Sequence, residues 1–122
     1  MEAYRELTEY EYALITVLLG FVSELEVVDP AQIVECRVRR IAEYADNYGS
    51  IEFDSAHSIT LPRAWVVIEA TATDEDGVPV EAILHARDQI VTELEFVRAD
   101  GSPLLRRPHP DAFQYAEHHV GD

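Results

Sequence analysis

A histidine and several glutamates recur at alternate positions in the middle of the chain. His85 lies in one alternating run, and Glu93 and Glu95 lie in the next. In an extended strand every second side chain lies on the same face. Neutral imidazole and ionised carboxylates are metal ligands, and paired carboxylates can act as acid and base when burial raises the pKa of one of them. A metal-dependent or small-molecule enzyme that uses His85 is therefore one hypothesis.

The spacing favours a simpler explanation of these residues. The sequence contains no H-x-x-H or C-x-x-C pair and no glycine-rich phosphate loop. A cross-strand hydrogen bond or ion pair between His85 and Glu93, contributing under about 1 kcal/mol, would also explain them. Cys36 is the only candidate nucleophile, and a single cysteine in an apolar pattern is typical of a core residue. We therefore predict no catalytic residue, metal ligand or cofactor, and keep the enzyme as the alternative.

Three alternating runs, at residues 64–73, 78–87 and 90–97, must position these side chains, and we interpret them as antiparallel strands. Their even-numbered residues are mostly apolar, so the loops must align even positions with even ones. A three-residue loop, Glu75–Gly77, does this and pairs Ile68 with Leu84, with Gly77 at the left-handed position. A second loop, Asp88–Ile90, would pair Leu84 with Leu94, and without glycine it must place another residue in a left-handed or strained conformation.

The odd-numbered residues of the same runs then share the opposite face, which is acidic. Antiparallel sheets commonly pack one face and leave the other in water. Carboxylates around apolar anchors are typical of a protein-binding surface. A solvated face, or one covered by the C-terminal segment, is the alternative. The predicted partner-binding residues are Trp65, Glu69, Glu81, Ile83, His85, Glu93, Glu95 and Val97, with Glu52 and Asp54 from a preceding strand.

The amino-acid composition limits the classes of partner that the chain can bind. The 122 residues carry 24 acidic and 9 basic side chains, for a net charge of −15. This charge argues against binding nucleic-acid phosphates or anionic membranes and favours a basic protein partner. A single cysteine, no N-terminal leader and no long apolar span predict a cytoplasmic protein. We expect a monomer or a homodimer.

The N-terminal half holds the clearest helix signal. Thr8 and Glu11 have the spacing of a capping box and predict a helix from about Glu9 to Glu26. Asp29-Pro30 predicts a short helical turn. The segment Cys36–Tyr44 fits either a helix face or an arginine-rich edge strand. The alternating residues Ile51–Asp54 predict a short strand.

The C-terminal segment shows no comparable pattern. Three prolines follow Gly101, and they predict irregular structure. Asp111 and Gln114 could cap a short helix there. The last residues, from His118, are expected to fray.

Several short motifs resemble a family of small bacterial proteins known only as a domain of unknown function. The resemblance implies a helix followed by an antiparallel sheet. It favours a strand rather than a helix for the segment Cys36–Tyr44, and it implies no known activity. Family members carry a Cys/Gly-rich loop where this chain has Ala45–Tyr48, and a glycine where it has Gln89, so no metal or redox role is carried over to that loop. The matching motifs are Arg5–Glu9, Gly49–Phe53, Asp76–Val80, Leu84–Asp88, Glu93–Phe96 and Arg98–Gly101.

The predicted fold is α+β, with an N-terminal helix packed on one face of a four- to five-stranded antiparallel sheet. We expect a single domain over residues 1–122, with a lead-in at 1–7, the helix and sheet at 8–101 and an irregular tail at 102–122. The predicted function is a non-enzymatic acidic module that engages or neutralises a basic partner. Such a module could be an immunity or antitoxin protein, or a DNA-mimicking inhibitor. A structural protein is a further alternative.

Overall fold

The computed structural model describes residues 2–41 and 49–122. Within these ranges the chain is α+β and forms one seven-stranded antiparallel sheet, two more strands than the upper predicted count. The helices are α1 (Glu9–Gly20) and α2 (Pro30–Glu35), with 3-10 turns at Ser23–Leu25 and Pro110–Ala112. The strands are β1 (Arg5–Glu6), β2 (Arg37–Arg40), β3 (Ile51–Phe53), β4 (Trp65–Thr73), β5 (Pro79–Arg87), β6 (Ile90–Arg98) and β7 (Gln114–Gly121).

The predicted capping box begins α1. The Thr8 hydroxyl accepts the Glu11 amide at 3.1 Å, and the Glu11 carboxylate accepts the Thr8 amide at 2.9 Å. The helix ends at Gly20 rather than near Glu26, and glycine is a poor helix former. Extended backbone at Val22 and the following 3-10 turn then bury Val22 and Leu25 in the core. The Asp29-Pro30 start of α2 is confirmed.

The strands lie in the order β1-β2-β3-β6-β5-β4-β7, and every neighbouring pair is antiparallel. The strand predicted after Cys36 is confirmed over Arg37–Arg40, and residues 42–44 of that prediction lie outside the described ranges. This strand is not at the edge, because β1 pairs with it through Arg5 and Val38. The short β3 strand is also as predicted.

The hairpin between β4 and β5 has the predicted three-residue loop. The Asp74 amide donates to the Val78 carbonyl, and the Gly77 amide donates to the Asp74 carbonyl, each at 2.9 Å. Gly77 has φ +86°, the left-handed conformation that this loop requires. Ile68 therefore lies opposite Leu84.

The hairpin between β5 and β6 has the predicted pairing of Leu84 with Leu94, but its turn differs from the predicted one. Its turn has two residues, Asp88 and Gln89, at φ 52° and 70°, so the expected left-handed backbone falls on both of them. A register shift beside His85 restores the alignment of the core residues. One consequence differs from the prediction: Val91 is buried on the core face and Ile90 is half-buried.

The C-terminal segment is the main departure from the predicted fold. Residues 114–121 form β7 and pair along β4, where an irregular, fraying tail with a short helix was expected. Phe113 is buried and lies 6.4 Å from Phe96, ring centroid to centroid, so it anchors the start of β7. The strand gives partners to backbone groups of β4 that would otherwise lie unpaired at a sheet edge.

The core lies between α1 and the even-numbered face of the sheet. Leu14, Ile15, Leu18 and Leu19 of the helix are buried. They belong to one cluster with sheet residues that include Ile68, Leu84, Leu94 and Phe96. The odd-numbered face of the central strands lies on the other side and carries the candidate site.

Candidate binding face

The side of the sheet opposite α1 carries a wide set of polar and acidic residues, which we call the open face. Its members are exposed or half-buried, whereas the even-numbered residues between them are mostly buried. The alternation follows directly from the period of an extended strand. The open face consists of Arg39, Glu52, Trp65, Val67, Glu69, Thr71, Glu81, Ile83, His85, Arg87, Glu93, Glu95, Val97, Glu117 and His119.

Two rows of side chains cross the strands of the open face. One row runs in register from Glu52 through Glu93, His85 and Val67 to His119. The other runs from Glu95 through Ile83 and Glu69 to Glu117. Glutamates therefore face one another across neighbouring strands, where like charges destabilise the pair.

The structure assembles most of the predicted set. Glu69, Glu81, Glu93 and Glu95 lie on the open face, beside the predicted apolar members. Trp65 and Val97 remain 45% and 38% exposed, so their side chains are available to a partner. Ile83 is half-buried between Glu69 and Glu95 in the register.

The two acidic residues from the preceding strand are already engaged. Glu52 forms an ion pair with Arg39 across β2 and β3. Asp54 lies just beyond β3, where its carboxylate accepts the Ala56 amide at 3.1 Å and contacts His57 Nδ1 at 3.2 Å. These hydrogen bonds lower the pKa of Asp54. Asp54 therefore belongs to a local turn rather than to the open face.

His85 lies opposite Glu93 in the register, as predicted, but its hydrogen bond is diagonal. Nε2 of His85 lies 3.1 Å from Oε1 of Glu95. His85, Glu93 and Glu95 each place one ligand atom within 4.8 Å of the others. A depression of about 280 Å³ is lined by His85 and Glu93 and also by Trp65 and Arg87.

A second cluster of the same composition was missed by sequence reasoning. Glu69, Glu117 and His119 also bring ligand atoms within 4.8 Å of one another, because β7 pairs with β4. A hydrogen bond with Glu117 and partial burial raise the pKa of the Glu69 carboxyl. The missed signal was the pair Glu117 and His119, two residues apart along β7, in a run too polar to be recognised as a strand. A register shift beside Ala70 places the nearby Tyr115 on the other face of the sheet.

Cys36 has the environment of a core residue. Its side chain is buried, and Sγ donates to the Gln32 carbonyl at 3.3 Å. Burial raises the pKa of the thiol to about 11, so little thiolate exists at neutral pH. In the described ranges, none of the helices has the length and apolar character needed to cross a membrane.

The fold and the face together define an α+β domain with helices on one side of an antiparallel sheet and an acidic open face on the other. Residues 4–108 match the model of the family described as Domain of unknown function (DUF6984), and the chain belongs to that family. No curated protein and no solved structure matches the chain. The matched region includes α1 to β6 and ends before β7.

Proposed function

We propose that this protein is a non-enzymatic binding module whose open face engages a basic protein segment. The observation that carries the proposal is the arrangement of Glu69, Glu81 and Glu95 around Ile83 on three adjacent strands. Carboxylates held on a rigid sheet cost little additional ordering when a partner binds. Arginine side chains of a partner can form paired hydrogen bonds with such carboxylates.

Charge balance supports a cationic partner. In the described part of the chain, the arginines on the open face are Arg39 and Arg87, and Arg39 already pairs with Glu52. The glutamates therefore exceed the cations on this face, in line with the net charge of −15. Such a surface attracts basic proteins and repels nucleic acids and anionic membranes.

The apolar residues of the face supply anchors. Trp65 is an exposed aromatic residue near one end of β4, and Val97 lies toward the other end of the sheet. Tryptophan is among the residues that contribute most binding energy at protein interfaces. An immunity-type or inhibitory role toward a basic protein in the cytoplasm fits this chemistry, with the module acting as a monomer or a homodimer.

The proposal is tested with a defined probe, a short synthetic peptide of arginine and leucine, in buffer that contains a chelator. We expect saturable binding by surface plasmon resonance, with an association rate that falls as salt rises. The double variant Glu81→Gln/Glu95→Gln should slow association several-fold at low salt. Trp65→Ala should instead speed dissociation.

The matched control is Glu26→Gln/Glu35→Gln. It removes the same charge from exposed positions in or near the helices, away from the open face. If both double variants slow association equally, the peptide responds only to net charge, and the proposed face is wrong. Equal binding of a peptide with glutamate in place of arginine would also contradict the proposal.

A small enzyme that uses His85 is the second candidate function. The convergence of His85, Glu93 and Glu95 beside a depression of about 280 Å³ favours it. In such an enzyme His85 would bind a metal ion or transfer a proton. Peptide binding that survives in His85→Ala separates the binding module from this alternative.

A further inference from the structure

The pairing of β7 with β4 creates a second cluster on the open face, which shares Glu69 with the proposed peptide-binding surface. Glu69 of β4 lies directly opposite Glu117 of β7, and His119 lies two residues further along β7. One ligand atom from each lies within 4.8 Å of the other two. Residues two apart on a strand share a face, so β7 presents both of its side chains toward Glu69.

The donor set points to a particular class of cation. One imidazole and two carboxylates suit zinc and neighbouring first-row divalent ions, whereas calcium and magnesium prefer oxygen ligands alone. The side chains of Glu117 and His119 are 61% and 55% exposed. Water can therefore reach the cluster and complete a four-coordinate shell.

The charge of the cluster is not balanced by arginine. Within residues 2–41 and 49–122, no arginine is within ion-pair distance of Glu69 or Glu117, and the nearest basic group is His119, with Nε2 3.7 Å from Oε2 of Glu117. Two facing carboxylates repel each other unless a proton or a cation lies between them. A divalent ion would remove this repulsion and bind both strands at once.

Trp65 restrains the imidazole beside these carboxylates. Its ring is stacked on His119, with centroids 6.2 Å apart and planes at 29°. A ligand held in place before the ion arrives loses less conformational freedom on binding. Trp65 is also the single tryptophan of the chain, so its fluorescence reports on the state of His119.

We propose that Glu69, Glu117 and His119 form a binding site for Zn²⁺ or a similar transition-metal ion, which fastens β7 to β4. We favour this cluster over His85, Glu93 and Glu95 because the two histidines differ. His85 already makes a hydrogen bond with Glu95 at 3.1 Å, whereas Nε2 of His119 lies 3.7 Å from Oε2 of Glu117, beyond hydrogen-bond distance. The ion would connect the last strand to the part of the chain that matches the family model.

The test is titration of the full chain with zinc chloride, followed by Trp65 fluorescence and by thermal unfolding. We expect a saturable fluorescence change at one ion per chain and a melting temperature that rises with zinc concentration, since an ion that binds the folded state stabilises it. Glu117→Gln and His119→Ala should each weaken zinc binding by about tenfold or more. Magnesium at the same concentrations should have no effect.

The matched controls are His118→Ala and His85→Ala. His118 is the neighbouring histidine of β7, on the other face of the strand, and its Nδ1 lies 2.8 Å from the Tyr115 hydroxyl. Both controls should keep the zinc affinity of the parent. Glu117→Gln preserves the shape of the side chain, so loss of binding in a variant with an unchanged circular dichroism spectrum is loss of a ligand and not of the fold.

Two outcomes would overturn the proposal. Parental zinc affinity in both Glu117→Gln and His119→Ala would mean that these side chains are not ligands. Loss of zinc binding in His85→Ala alone would assign the ion to the other cluster. Peptide binding is measured with chelator present, so failure of the metal site leaves the proposed function untouched.

Discussion

Arg98 and Asp74 form a buried ion pair at one end of the sheet, with Arg98 Nη1 donating to Asp74 Oδ2 at 2.8 Å. Arg98 ends β6 and Asp74 follows β4, so the pair joins strands on either side of β5. Asp76 and Asp100 complete the shell around the guanidinium. The Asp74 carboxylate also accepts the amides of Leu105 and Arg106, at 2.7 and 3.1 Å.

This pair predicts a loss of stability in acid. Burial alone would raise the pKa of Asp74, but hydrogen bonds from the amides of Leu105 and Glu75 and from Arg98 lower it to about 2. A carboxyl whose pKa is lower in the folded state stabilises the fold above its unfolded pKa, and this contribution is lost as pH falls through the folded value. We expect the contribution of Asp74 to decline between about pH 4 and pH 2.

Replacement of Asp74 by Asn tests this expectation by thermal unfolding across pH. The variant should melt well below the parent at pH 7, because it leaves the buried Arg98 without one of its partners. The two melting temperatures should converge toward pH 2. A difference that stays constant with pH would mean that packing, and not ionisation, accounts for the role of Asp74.

The loop between β4 and β5 predicts a cost for a side chain at Gly77. Its φ of +86° is unfavourable for other residues, although no atom lies within 4 Å of an added Cβ. Gly77→Ala should therefore lower the free energy of unfolding by about 1 kcal/mol through backbone strain alone. Urea denaturation measures this value. Gly20→Ala, in a helix with equally open space, should instead be neutral or stabilising.

The packing of Phe96 predicts a large effect of truncation. Phe96 is 3% exposed and lies 6.4 Å from the rings of both Tyr10 and Phe113, centroid to centroid. Phe96→Ala should lower the free energy of unfolding by about 3–5 kcal/mol. The exposed Val97→Ala, one residue along, serves as the control and should change it far less. Similar losses for both variants would contradict the assignment of the two faces.

The contact between Glu69 and Glu117 predicts a stabilising substitution. Glu69→Gln removes one of two facing carboxylates, so in chelator and at low salt it should raise the melting temperature. The gain should shrink as the screening length falls from about 30 Å at 0.01 M to about 8 Å at 0.15 M salt. Glu26→Gln removes an exposed charge outside the open face and should give a smaller change. A lower melting temperature for Glu69→Gln would mean that the Glu69 carboxylate stabilises the parent through a hydrogen bond or an ion pair.

Zinc should reverse the effect of the same substitution on the stability of the chain. If the ion binds between β4 and β7, Glu69→Gln should stabilise the chain in chelator and destabilise it, relative to the parent, in saturating zinc. Thermal unfolding of parent and variant under both conditions measures this reversal. A variant that is more stable than the parent in both conditions would argue against Glu69 as a ligand.

The sequence by itself determined the elements whose signals are local. The capping box at Thr8 satisfies the first amides of α1 with neighbouring side chains, and the loop at Gly77 depends on one residue that tolerates positive φ. The alternation of apolar residues then assigned most of β4, β5 and β6 to their faces, since a slip of one residue would expose the core. The strands that carry Glu69, Glu81 and His85 were therefore readable in advance.

Only the tertiary structure decided the elements that gain their stability from distant parts of the chain. Strand β7 is polar and follows several prolines, so its own pattern is weak, yet β4 offers it a row of backbone partners and the core receives Phe113. The same holds for β1, two residues long, which forms against β2. The cluster of Glu69, Glu117 and His119 exists because that pairing joins residues about fifty positions apart in the sequence, and short-range patterns carry no information about such a contact.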